Sequence, residues 1–122
     1  REIWNLEKKA QAAGFAAAKI GVACEEIDAA ARKVITDAGF GPDYKLPGLP
    51  HRTGHGIGME GHEDPYMRGD NMQILEPGMA FTVEPGIYLT NRNGVRIEDN
   101  MVITESGAES LSDMPREIRV VG

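Results

Sequence analysis

At Gly39 the chain changes its hydrophobic period, and that change limits the folds open to it. Upstream, Ile3, Leu6, Ala10, Ala13, Ala17 and Ile20 recur at three- and four-residue steps. This predicts a helix from Glu2 to about Ile20, apolar on one face, with Glu7, Lys8, Lys9 and Gln11 around it. Gly14 weakens that helix without stopping it, and Gly21 is placed to cap its C-terminus. A second helix runs to about Ala38, with Glu25 and Glu26 in its first turn and Ile27, Ala30, Ala31, Val34 and Ile35 inward. Downstream, Gly41 to Pro50 contains Pro42, Pro47 and Pro50 and reads as a surface loop. Short strand-like pieces follow near Ala80 to Val83, Gly86 to Leu89, Val95 to Ile97 and Asn100 to Thr104. Asn91-Arg92-Asn93-Gly94 is a hairpin-type turn, and a last strand near Ser110 to Leu111 follows a turn at Ser106-Gly107. Helix, helix, then strands predicts an α+β fold, not an alternating parallel one.

A chain of 122 residues is one domain's worth, enough to bury roughly two-thirds of its unfolded surface. Thirteen basic residues against nineteen acidic give a net charge of -6, which argues against nucleic acid as the main partner. The single cysteine, Cys24, excludes an internal disulfide and fits a reducing cytoplasm. No apolar run approaches the roughly 18 residues of a membrane span, and no signal peptide is visible. Helical periodicity begins at once with Arg1-Glu2-Ile3, without a methionine, which sets the expectation that further sequence lies upstream.

All three histidines fall in one Gly-rich stretch, His51-Arg-Thr-Gly-His55-Gly-Ile-Gly58 followed by His62-Glu-Asp-Pro65. Histidine is the commonest metal ligand and the usual acid/base at neutral pH. Glycines at 54, 56 and 58 let backbone approach a ligand closely around His55, although a lone histidine in such a stretch can equally face solvent. Glu84, between a β-branched strand and Pro85-Gly86, is presented at a strand end; by itself it reads as a surface glutamate. Arg96 and Glu98 are two apart on a predicted strand and share a face, where an exposed ion pair would contribute less than about 1 kcal/mol. Val95 and Ile97 place core on the opposite face. His62 to Pro65 reads as a loop. Taken together, one histidine and two glutamates form an N/O ligand set suited to manganese, zinc, cobalt or iron. Two further histidines and an arginine could handle protons and developing negative charge.

Four motifs, His-Arg-Thr-Gly-His-Gly-Ile-Gly, His-Glu-Asp-Pro, Glu-Pro-Gly-Ile-Tyr and Val-Arg-Ile-Glu-Asp, occur in this order. On them, the whole chain resembles the C-terminal half of the catalytic domain of proline-specific metallopeptidases, the Xaa-Pro dipeptidase (prolidase) and aminopeptidase P branch of the pita-bread family. The resemblance implies that His55, Glu84 and Glu98 are metal ligands, with Glu98 bridging two divalent ions, manganese first among the candidates. It implies that Glu84 also orients or deprotonates the attacking water, that His51 and His62 bind substrate and stabilise the tetrahedral intermediate, and that Arg96 positions substrate or holds Glu98. The substrate would be a peptide with proline second.

Such enzymes draw two aspartate ligands from the half that precedes the first helix here. Asp28 and Asp37 lie on a helix and Asp43 in a loop, outside the expected Asp-rich strand context, so residues 1–122 would hold at most one ion well. The expectations are then a chain inactive by itself, bound to its N-terminal half or homo-oligomeric. A methionine aminopeptidase, sharing Gly-His-Gly-Ile-Gly, and a non-catalytic protein-binding member of the fold are the alternatives. A metal-free, creatinase-like hydrolase is a remoter one.

Overall fold

The computed structural model describes residues 1–121. Helix α1 (Glu2–Ala17) and helix α2 (Cys24–Asp37) come first, followed by strands β1 (Gly54–Gly56), β2 (Glu63–Met67), β3 (Ala80–Val83), β4 (Gly86–Tyr88), β5 (Gly94–Arg96), β6 (Asp99–Thr104) and β7 (Gly107–Ser110). Five strands form an antiparallel sheet in the order β2-β1-β3-β6-β7, and β4 and β5 form a separate ribbon. This is the α+β architecture expected. No helix among the described residues is long and apolar enough to cross a membrane.

Helix α1 ends three residues earlier than its periodicity predicts, because Ala18 is already extended (φ -77°, ψ 102°). Gly21 is therefore not its cap. It takes a left-handed φ of 84° in the following turn and donates to the Leu75 carbonyl. That turn lays the chain beside residues 71–75, whose carbonyls from Gln73 and Asn71 accept the free N–H groups of Cys24 and Glu25 at 2.8 Å each. Backbone thus caps α2 where no side chain does. At the other end Gly39, at φ 98°, stops α2 as expected.

Two strands come from sequence that did not read as regular. His62 to Pro65 is not a loop, since Glu63–Met67 pairs with Gly54–Gly56. Pro65 is tolerated there because β2 is an edge strand. The last strand also starts earlier than predicted, at Gly107, directly after the turn. In the ribbon, Tyr88 lies across its two flanking glycines, and a Cβ on Gly86 or Gly94 would meet its ring at 2.6 or 2.4 Å.

Alternation along the strands separates two faces. Phe81, Val83, Met67, Met101 and Ile103 point toward the helices and join Ile27 and Leu75 in the larger core cluster. Ala10, Ile35, Leu49 and Ile87 make a second cluster beneath the ribbon. His55, Thr82 and Glu84 therefore face the other way, with Tyr66 opposite His55.

The buried stripe of α1 differs from the predicted one. It includes Glu7 and Gln11, placed on the solvated side by charge and polarity, whereas Ile20 is exposed. Gln11 donates to Asp99 at 2.8 Å, and one Glu7 oxygen accepts from the Ile97 N–H at 3.4 Å. The other Glu7 oxygen is buried without a partner. Burial pushes the Glu7 carboxyl up to about 9 from 4.5. Because the folded-state value is raised, the native protein holds one more proton than the unfolded chain between those limits. Stability is then full below about pH 4.5 and declines as pH rises toward 9. Glu7→Gln is expected to flatten that decline in thermal melts at pH 5, 7 and 9. Parallel profiles for the two proteins would show that Glu7 is not the group responsible.

Candidate metal centre

The sheet face turned away from the helices forms the floor of a cleft of about 660 Å³, with His51, His55, His62, Glu84 and Arg96 in its wall. A larger hollow of about 880 Å³, lined by Ile3, Trp4, Phe40, Leu89 and Val95 among others, contains none of the histidines. Chemistry, not size, singles out the smaller one.

His55 enters the cleft from β1, which approaches β3 so closely that a Cβ on Gly54 would lie 1.8 Å from the Thr82 carbonyl oxygen. Its backbone N–H donates to Thr82 Oγ1 at 3.1 Å. Glu84 follows β3 directly, and its N–H donates to the Thr53 carbonyl at 2.6 Å, just before β1 begins. Both side chains are thus held by neighbouring strands. Arg96 ends β5, and Glu98 sits in the link to β6, with Ile97 between them buried on the opposite side. The alternation expected of Arg96 and Glu98 is kept, although Glu98 itself lies past the strand.

Donor atoms of His55, Glu84 and Glu98 lie within 4.8 Å of one another. His55 Nδ1 is 2.9 Å from the Gly56 carbonyl oxygen, which can only accept, so Nδ1 carries the proton. The other ring nitrogen, Nε2, faces Glu84 Oε2, 3.4 Å away. That oxygen is buried and has no hydrogen-bond partner. A ring nitrogen and a buried carboxylate oxygen without a hydrogen bond converge here, a donor pair of the kind that binds a divalent cation. Glu98 completes it: partial desolvation, then hydrogen bonding to and repulsion by Glu84, raise its carboxyl above the ordinary range, against Arg96 and His55. The residues fit a metal. Among the described residues no second group of three such side chains converges.

The remaining candidates surround this centre. The His62 ring meets His55 edge to face, with centroids 4.4 Å apart. His51 Nε2 lies 3.3 Å from the Tyr88 hydroxyl, and its Nδ1 is 2.6 Å from the Arg52 carbonyl oxygen. Tyr44, Arg52 and Arg68 also line the cleft but were not anticipated. Arg52 lies over the Tyr66 ring at 4.7 Å. Strand alternation in β2 places Tyr66 on the face of His55 once Glu63–Met67 is read as a strand, whereas nothing in its local sequence marks Arg52.

The profile of metallopeptidase family M24 matches residues 1–105. The chain belongs to metallopeptidase family M24. It is 48% identical over 118 residues to the probable dipeptidase PepE of Mycobacterium bovis, covering 97% of this chain and 30% of that protein. It is 46% identical over 121 residues to the Xaa-Pro dipeptidase of Lactobacillus delbrueckii subsp. lactis, covering 99% and 32%. The solved Xaa-Pro dipeptidase of Bacillus anthracis superposes with a TM-score of 0.91 at 42% identity, over 98% of this chain and 32% of that one. This M24 chain therefore spans about a third of the length of these relatives, and shares the pita-bread architecture of its structural neighbours.

Proposed function

We propose that residues 1–122 are the C-terminal portion of a catalytic domain that removes the N-terminal residue from peptides with proline in second position. The observation that carries this is the convergence of His55 Nε2 and the unpartnered Glu84 Oε2 beside Glu98, in a chain 46% identical to an Xaa-Pro dipeptidase. His55, Glu84 and Glu98 hold one divalent ion, manganese in this reading, and two aspartates from the preceding half of the domain complete a two-metal site. The bound metal supplies Lewis acidity, polarising the scissile carbonyl and bringing a water's pKa toward neutrality.

The side chains do the rest. Glu84 orients the attacking water and takes its proton on a carboxylate oxygen. His51 and His62 stand on the walls of the cleft, where an imidazole N–H donates to the oxygen on which negative charge develops. Arg96 reaches the same cleft and holds Glu98 or the substrate by charge. The protein works in the cytoplasm, as a homo-oligomer whose open sheet edges are covered by the rest of the domain.

The test is hydrolysis of an Xaa-Pro dipeptide with manganese, by the whole domain and by this chain alone. Turnover by the whole domain but not by the chain is expected. Equal cleavage of peptides with methionine first and no proline would replace the proposed specificity. Substituting His62→Ala in the whole domain is expected to lower kcat by about 10²-fold or more with manganese affinity unchanged. A parallel loss of manganese affinity would instead make His62 part of the metal centre.

A further inference from the structure

We propose that Asp28 and Arg32, one turn apart on α2, are positioning residues that set the orientation of His51 in the cleft. This rests on the substrate-handling role given to His51 above. The Arg32 guanidinium has five N–H donors, and the structure assigns each an acceptor. Nε and Nη2 form a bidentate pair with Asp28, at 3.0 Å each. Nη1 donates to the carbonyls of Asp43 at 2.7 Å and Leu49 at 2.5 Å. The second Nη2 proton goes to the His51 carbonyl at 2.9 Å. The Tyr44 ring packs on the guanidinium, 3.9 Å from its centroid.

Asp28 grips the far side of His51. It is 2% exposed and accepts from the Thr53 N–H at 3.1 Å and the Thr53 hydroxyl at 2.8 Å. The pair therefore fixes the carbonyl of His51 and the amide two residues on, so the backbone on either side of Arg52 has little freedom. The His51 ring is then held between the Arg52 carbonyl and the Tyr88 hydroxyl. Thr53 is also tied to the sheet, its N–H donating to the Met67 carbonyl at 2.8 Å and its carbonyl accepting from Glu84, whereas the His51 carbonyl accepts from Arg32, in a stretch between α2 and β1 without regular structure. A lysine has three donors and no planar fork, so it cannot serve three carbonyls and a bidentate carboxylate at once.

His55 is held by other bonds, to Thr82 and Gly56, and Arg32 donates neither to a ligand residue nor to Thr53, so in an Arg32 variant substrate handling and metal affinity should separate. The experiment uses the whole manganese-loaded domain, with Arg32→Lys made alone and together with His51→Ala. Expected results are a kcat/KM for an Xaa-Pro dipeptide lowered about tenfold or more by Arg32→Lys, and a manganese Kd within about twofold of wild type. In the His51→Ala background the same substitution should lower kcat/KM less than about twofold, because the residue it orients is gone.

Equal losses in the two backgrounds, or manganese affinity falling with activity, would overturn the proposal. Should Arg32→Lys not fold, Asp28→Asn, which loosens the bidentate grip that holds the guanidinium against the His51 carbonyl, carries the same cycle with kcat/KM and the His51 ring signal as its readouts. Independently of peptide cleavage, ¹³C-labelled histidine NMR should show the His51 ring signal displaced in the single variant, with those of His55 and His62 unmoved. An unmoved His51 signal overturns the positioning role even if no Xaa-Pro peptide is ever cleaved. A displaced one supports it even if the substrate assignment is wrong.

Discussion

Glu84→Ala in the whole domain is expected to remove peptide hydrolysis and manganese binding together. Glu84 is asked to do two things from one position: to share a cation with His55 and Glu98, and to take a proton from the attacking water. Loss of a general base alone lowers a rate by about 10²–10⁴-fold, and a lost ligand adds to that. Kcat/KM should therefore fall by roughly 10³-fold or more, and manganese affinity by more than the roughly 100-fold seen when a group that only orients a ligand is removed. Glu84→Gln separates the two tasks, since the amide oxygen can still approach the cation but cannot accept the proton. It should keep part of the manganese affinity and none of the turnover.

The pH dependence of metal binding follows from the same cluster. Glu98 is raised above the ordinary carboxylate range by desolvation and by Glu84, and a ligand must lose its proton to bind. Manganese affinity, measured calorimetrically, should therefore start to weaken on acidification at a higher pH than an ordinary glutamate would dictate. A Glu84→Ala protein that binds manganese normally and keeps a tenth of its activity would take Glu84 out of the centre.

The second large effect is on folding. Gly54→Ala puts a methyl group 1.8 Å from the Thr82 carbonyl oxygen and 2.8 Å from its carbon. Both are backbone atoms of β3 and cannot rotate away, so β1 must leave the sheet. Substitutions with a backbone clash of this kind belong with the exceptional class that destabilises by roughly 4 kcal/mol or more. The His55 amide would lose Thr82 Oγ1 and the ring its place beside Glu84. Urea denaturation should show the loss of stability, and any folded remainder should bind manganese poorly. A variant with an unchanged midpoint and unchanged manganese affinity would mean that the two strands are not so closely apposed.

Much of this was legible beforehand, for identifiable reasons. The helices, β3 and the Asn91–Gly94 turn announce themselves through local period and turn chemistry, which depend on residues a few positions apart. β1 and β2 did not. Three residues of Gly-His-Gly are too short for a period, and Pro65 argues against a strand unless that strand is known to be at an edge. Charge and polarity predict exposure for Glu7 and Gln11, while their burial depends on Ile97 and Asp99, some 90 residues away in sequence. Asp28 read as one more helix carboxylate, and only the fold shows Thr53 and Arg32 closing around it.

By itself, the sequence determined the α+β class, the breaks between elements and the six residues whose types suit metal-assisted peptide chemistry. Those properties follow from side-chain chemistry and short-range spacing. Only the tertiary structure decided that His51, His55, His62, Glu84 and Arg96 share one cleft, with Glu98 brought beside His55 and Glu84. It also decided which nitrogen of His55 faces Glu84, and that α2 grips the His51 segment. Each of these depends on pairings between distant strands and on donors meeting acceptors across the fold, and spacing along the chain carries no record of either.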